Sequence, residues 1–127
     1  MLRPVSMEDL VEAWRKRAAA AQETRLAAFR DARDAALRAA AVLRERFGAR
    51  RVVLFGSALL PERFDPARSD LDLAVEGLPW RRYFEAIEAV RRAAEPFRVD
   101  LKEIEVAPQE LRESIEAEGL VLHESRA

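Results

Sequence analysis

Val52-Val53-Leu54-Phe55-Gly56-Ser57 and, after a short loop, Ser69-Asp70-Leu71-Asp72-Leu73-Ala74-Val75 decide how this chain is read. The first is an apolar run ending in Gly-Ser, the pattern of a buried strand followed by a tight, phosphate-binding turn. The second holds Asp-x-Asp inside an apolar run. Side chains alternate along a strand, so Asp70 and Asp72 share one face while Leu71, Leu73 and Val75 share the other. Two carboxylates aimed at one point repel each other unless a cation lies between them. Magnesium suits such a pair where phosphates supply the remaining oxygens. Asp100, in Phe97-Arg98-Val99-Asp100-Leu101, lies in a third apolar run and follows the same alternation.

Outward from these runs the chain alternates strand and helix patterns. Arg51–Phe55 is expected as a short strand between Gly48 and Gly56, and 58–68 as a loop with Pro61 and Pro66. Residues 70–76 form the second expected strand. Residues 98–106 form a third, in one piece or two, and 120–122 a short edge strand. Trp80, Phe84, Ile87, Val90 and Ala94 recur at helical spacing after the turn Gly77-Leu78-Pro79 and stop before Pro96. Pro108 opens a last helix with Leu111 and Ile115 on one face, and Gly119 ends it.

The first third reads as helix. Ser6 caps it, with Asp9 as the capping-box partner. Leu10, Val11, Trp14, Ala18 and Ala21 make one apolar stripe; Phe29, Ala36, Ala40, Leu43 and Phe47 make another. Neither Gly nor Pro interrupts Met7–Phe47, and Gly48 is a natural stop. One long helix, or two with a kink near 22–25, fits this pattern equally.

With 127 residues, half of them hydrophobic, the chain is read as one globular domain. A net charge of −1 gives no footprint for bulk nucleic-acid binding. There is no cysteine, and the single histidine, His123, read as a surface residue, excludes histidine-rich zinc sites. Asp65, Glu76, Glu103, Glu105 and Lys102 read as solvated charges. No apolar stretch approaches the ~18–20 residues that span a bilayer, so no membrane association is expected. Met1-Leu2-Arg3-Pro4-Val5-Ser6 lacks the apolar core of a signal peptide, which makes the cytoplasm the expected compartment.

Gly56-Ser57, Asp70-x-Asp72 and the spaced Asp100 together resemble the nucleotidyltransferase superfamily that includes DNA polymerase beta. More closely they resemble its minimal nucleotidyltransferases (MNT), the antitoxins of HEPN/MNT toxin–antitoxin pairs. The resemblance covers 37–123, including the tail Ile115-Glu116-Ala117-Glu118-Gly119-Leu120-Val121-Leu122-His123. It implies an α/β (α+β) fold of the polymerase-beta-like nucleotidyltransferase type. That fold is a small mixed sheet with helices on one face, here with a long N-terminal helical extension. The domain then spans 1–127, with 1–30 as the extension.

The resemblance also implies the chemistry. Asp70, Asp72 and Asp100 would be the catalytic residues and the ligands of two Mg2+ ions, Asp70 and Asp72 bridging both. Gly56, Ser57 and Ser69 would bind the nucleotide, ATP: Gly56 by close backbone approach, Ser57 through its hydroxyl and N–H, Ser69 by orienting Asp70 or the start of the strand. AMP would pass to a protein hydroxyl, a tyrosine of a HEPN-type toxin partner. Many members carry a small-arginine pair after Gly-Ser. This chain has Ala58-Leu59-Leu60-Pro61 there, so a basic contact to the nucleotide is either missing or supplied by Arg63 or Arg68.

Two other functions fit the residues. One is a binding module that neutralises its partner by complex formation alone. The other is nucleotidyl transfer to a small molecule or an RNA end. The N-terminal extension has two readings of its own: packing on the chain's own sheet, or an arm for self-association or for gripping a partner.

Overall fold

The computed structural model describes residues 3–125, so Met1 and Leu2 of the N-terminal stretch lie outside the described residues. The elements are α1 (Met7–Phe47), β1 (Arg51–Phe55), β2 (Leu71–Glu76), α2 (Tyr83–Ala93), β3 (Val99–Glu103), α3 (Gln109–Glu118) and β4 (Leu120–Glu124). Short 3-10 turns stand at Gly56–Leu59, Trp80–Arg82 and Ile104–Val106.

Of the two expectations for the first third, a single helix is what forms. α1 runs for 41 residues, about 61 Å at ~1.5 Å per residue. The Ser6 hydroxyl accepts the Asp9 N–H at 3.1 Å and the Asp9 carboxylate accepts the Ser6 N–H at 3.3 Å, a complete capping box. Gly48 ends the helix in the left-handed conformation and donates to the Leu43 and Arg44 carbonyls. The second half of α1 buries Ala32, Ala35, Ala36, Ala39, Ala40, Leu43 and Phe47. Small side chains along that stripe let the helix backbone lie close to its neighbours. Arg38 on the same half donates to the Ala93 carbonyl at 2.8 Å, satisfying the end of α2. The first half is different. Every residue from 7 to 25 is exposed, so this segment does not pack on the chain's own sheet.

The sheet has the order β3-β2-β1-β4. β2 and β3 run parallel; β1 is antiparallel to both β2 and β4. Val52, Leu54, Leu71, Leu73, Val75, Val99 and Leu101 pack with α1 and α2 in the main core. Truncating fully buried Leu54 or Leu73 to alanine is expected to cost about 2–5 kcal/mol. Val53 and Ala74, on the other face, join Ile104 and Ile115 in a smaller cluster. The two longer helices thus cover one face, and α3 adds a partial cover to the other.

Several local readings are corrected. α2 does not turn Trp80 and Phe84 inward; both are exposed, and Tyr83, Ala86, Ile87 and Val90 face the core. Trp80 sits in a 3-10 turn, which breaks its phase with the helix, and the Tyr83 hydroxyl fixes that phase by donating to the Leu101 carbonyl at 3.0 Å. The third strand ends at Glu103 and continues as a 3-10 turn that buries Ile104. His123 is half-buried on β4, its Nε2 3.1 Å from the Ala49 carbonyl. Glu76 is no free charge: it pairs with Arg50 and Arg51, which hold its carboxyl below the usual range. The loop 58–68 is anchored by Phe64, buried between Phe29 and Phe97 with ring centroids 6.1 and 6.4 Å away. Among the described residues no helix is long and apolar enough to cross a membrane.

Candidate functional site

The strand register assembles the acids. Asp72 on β2 stands opposite Phe55 on β1 and opposite Asp100 on β3. Alternation places Asp72 and Asp100 on the face away from α1 and α2, since their neighbours Leu71, Leu73, Val99 and Leu101 fill the main core. Asp70 precedes β2 by one residue, where the Leu71 N–H begins the ladder by donating to the Arg98 carbonyl at 2.8 Å. Gly56 directly follows Phe55. One end of three adjacent strands therefore gathers Gly56, Asp70, Asp72 and Asp100.

Gly56 has φ +77, and a Cβ built on it would collide with Oδ2 of Asp72. The glycine thus serves twice: it takes a backbone conformation that other residues adopt only with strain, and it leaves room for a carboxylate.

The electrostatics are those of crowded acids only partly compensated by Arg98 and Lys102. The Asp72 carboxyl is pushed up to about 6, first by burial and then by the negative charges of Asp100 and Asp70. Lys102 opposes this weakly; its Nζ lies 3.6 Å from Asp100 Oδ2. Asp70 Oδ1 is buried and accepts no hydrogen bond. Arg98 Nε lies 2.9 Å from that oxygen, an ion pair by distance, but its N–H is not aligned on it.

The residues present fit a cation in three respects: a buried carboxylate oxygen that accepts no hydrogen bond, a second carboxyl destabilised as an anion by burial and by its acidic neighbours, and a glycine cradle beside it. The acids are not already drawn into a ligand shell, however. Among the described residues no group of three or more His, Cys, Asp or Glu side chains is arranged to hold a metal ion.

The two serines differ. Ser57 lies in the 3-10 turn Gly56–Leu59, half-buried and next to the glycine cradle. The Ser69 hydroxyl accepts the Asp65 N–H at 2.9 Å, and the Ser69 N–H donates to the Asp65 carbonyl at 2.7 Å. Ser69 therefore closes the loop just before Asp70 and so sets the start of β2. Asp65, read as a solvated charge, accepts the Ala67 N–H at 3.0 Å within the same loop.

Arg33 is a residue that sequence reasoning missed. From α1 it donates through Nε to the Ala58 carbonyl at 3.0 Å and through Nη2 to the Leu59 carbonyl at 2.7 Å. Ala58-Leu59, directly after Gly56-Ser57, is thus held by an arginine of α1. Arg33 also stands over the Phe29 ring, 4.8 Å from its centroid. Arg33 and Arg63 share a cavity of about 460 Å³ with Leu59, Leu60 and Glu118. Nothing in the sequence marks Arg33, since its targets are backbone carbonyls 25 and 26 residues away.

No protein-family model and no curated protein matches the chain. Solved structures do. A crystal structure of a toxin-antitoxin with AMP-PNP superposes at a TM-score of 0.56 and 23% identity, over 68% of this chain and 70% of that one. A mutant form of the toxin-antitoxin MntA-HepT gives a TM-score of 0.56 and 21% identity over the same shares of the two chains. The toxin-antitoxin MntA-HepT itself gives 0.51 and 22%, over 68% of this chain and 67% of that one. The chain has the mixed α/β architecture expected of it, and over about two thirds of its length it shares that fold with chains of toxin-antitoxin crystal structures.

Proposed function

We propose that this chain is a magnesium-dependent nucleotidyltransferase of the protein adenylyltransferase type. It moves AMP from ATP to a tyrosine hydroxyl of a HEPN-type toxin and acts as the antitoxin in the cytoplasm. The observation that carries the reading is the crowding of Asp70, Asp72 and Asp100 at the strand ends against the Gly56 cradle. Such crowding disfavours the empty site and favours one filled by cations and phosphates. The fold's occurrence in toxin-antitoxin pairs, one of them with AMP-PNP, supports the partner and the nucleotide.

Asp70, Asp72 and Asp100 would hold Mg2+, which when bound neutralises the triphosphate and lowers the pKa of the attacking hydroxyl. The chain's own residues do the rest. Gly56 admits the triphosphate to the backbone, and Ser57 offers its hydroxyl and N–H to phosphate oxygens. Ser69 fixes the loop that delivers Asp70. Asp100 takes the proton of the acceptor hydroxyl as that oxygen bonds to the α-phosphorus. The α–β phosphoanhydride bond breaks and pyrophosphate leaves. On this reading the domain spans 1–127 with 1–30 as an extension, and the toxin partner brings the acceptor hydroxyl.

The binding-module reading keeps one observation in its favour: the three acids are not preassembled as a ligand shell. Transfer of label from α-labelled ATP decides between them. With Mg2+ and the co-purifying partner, wild type is expected to label the partner and Asp70→Asn to label nothing. A stable complex without label would establish the binding module instead.

A further inference from the structure

The first half of α1 carries an apolar stripe that nothing among the described residues covers. Met7, Val11, Trp14, Ala18 and Ala21 follow one another at intervals of four, three, four and three, the spacing of a coiled-coil seam. Met7 is 74% exposed and Trp14 65%. This segment is about 28 Å of helix at ~1.5 Å per residue, with no tertiary contact to hold it. Helices in proteins draw most of their stability from packing an apolar face, and this one meets nothing among the described residues.

The charges around the stripe are ordered. Acids come first, at Glu8, Asp9 and Glu12; bases follow, at Arg15, Lys16 and Arg17. Glu8 and Arg17 are equidistant from the midpoint between Glu12 and Ala13, and so are Asp9 and Lys16. The apolar residues share that midpoint: Val11 mirrors Trp14, and Met7 mirrors Ala18. Of the charges, Glu8 and Arg15 each follow a seam residue (Met7, Trp14) by one position, so reversing one copy sets the acid of each against the base of the other, as twofold pairing requires.

We propose that this segment pairs with the same segment of a second copy, as an antiparallel two-helix coiled coil. Val11 then packs on the partner's Trp14, and Met7 on the partner's Ala18, large against small. Glu8 flanks the partner's Arg15, and by symmetry Arg15 flanks the partner's Glu8. A parallel pair would instead set the acidic starts side by side and the basic stretches side by side. A heterologous partner would require no mirrored pattern within a single helix. This pairing is independent of the reaction proposed above.

Sedimentation equilibrium on the full chain tests it. Wild type is expected to dimerise, and Trp14→Glu to weaken the dimer at least about tenfold, the equivalent of ~1.4 kcal/mol. Trp14 lies outside the core, so far-UV circular dichroism should show that variant folded. Glu8→Arg and Arg15→Glu should each weaken association, and the double variant should restore it. Because the chain has no cysteine, Met7→Cys combined with Ala18→Cys should oxidise to a dimer joined 7 to 18. A monomeric wild type, a 7-to-7 link from Met7→Cys alone, or a double charge reversal that fails to rescue would each overturn the proposal.

Discussion

Oδ2 of Asp72 occupies the space that a side chain on Gly56 would need. Gly56 directly follows β1 and Asp72 lies on the neighbouring β2, and the register Phe55 opposite Asp72 brings them together. Strand pairing, turn conformation and carboxylate position therefore form one constraint.

Gly56→Ala should break all three. The substituted residue would have to hold φ +77 and displace Asp72, at a cost of about 2–4 kcal/mol. Label transfer should fall about 100-fold, as for other small misplacements of reacting groups. Gly48→Ala is the control. Gly48 also has positive φ, but a Cβ there meets nothing within 4 Å. It should lose only about 1–2 kcal/mol and keep its activity. Urea unfolding and labelled-ATP transfer, run on both variants, separate backbone strain from collision with the acid.

Asp72→Asn keeps the shape and removes the charge. Transfer should drop by about 10²–10³ or more, comparable to losing one electrostatic contact at an active site. The metal-free variant should nevertheless melt higher than wild type, because the burial of a charge and its repulsion from Asp100 and Asp70 are gone. For a domain of this size each 1 kcal/mol is worth about 4 °C, so a calorimeter resolves the gain. A lower melting temperature would mean that Asp72 makes favourable contacts outweighing the repulsion.

The same carboxyl sets a pH dependence. Its folded pKa, about 6, lies above the ordinary 3.8, so between these values the folded chain holds a proton that the unfolded chain has released. The stability Asp72 contributes is fully present below 3.8 and is lost as pH rises through about 6. Glu76, with its pKa lowered by Arg50 and Arg51, runs the other way. The difference between wild type and Asp72→Asn cancels that background. In metal-free buffer the variant's advantage should widen from pH 4 to pH 7, and Mg2+ should narrow it at pH 7 by stabilising wild type alone.

Arg33→Ala should loosen the turn after Ser57. Two carbonyls, of Ala58 and Leu59, lose their donor, at about 1–3 kcal/mol in total. If the turn binds phosphate as proposed, KM for ATP should rise more than kcat falls. Steady-state transfer across ATP concentrations reads the split. Equal loss in both would place Arg33 closer to the chemistry than its contacts indicate.

The legible parts of this fold were those with a strong local cause. β1 runs Arg51–Phe55 as expected, because glycines bound an apolar run on both sides. α1 is continuous because nothing breaks it, and its capping box can be read from Ser6 and Asp9 alone. The acids could be placed on one face by alternation, but not beside Gly56, since that depends on which strand pairs with which. The facing of α2 was misread because a distant carbonyl, that of Leu101, holds Tyr83 inward. Arg33 was invisible for a similar reason: carbonyls carry no residue identity, so a side chain that serves them leaves no pattern to find. The roles of Asp70, Asp72, Asp100, Gly56, Ser57 and Ser69 remain proposals for the variants above to test.

An unbroken α1 also acts as a ruler. Arg33, which grips the turn after the glycine cradle, and Trp14, on the exposed segment, stand on one rod with no glycine or proline between them. Nineteen positions separate them, about 28 Å at ~1.5 Å per residue. Whatever grips the far end is thereby indexed to the turn in both distance and angle. Inserting a single residue between the two would rotate one against the other by about 100°, as 3.6 residues per turn dictate. The interval is consequently less free to vary in length than an exposed surface segment ordinarily is.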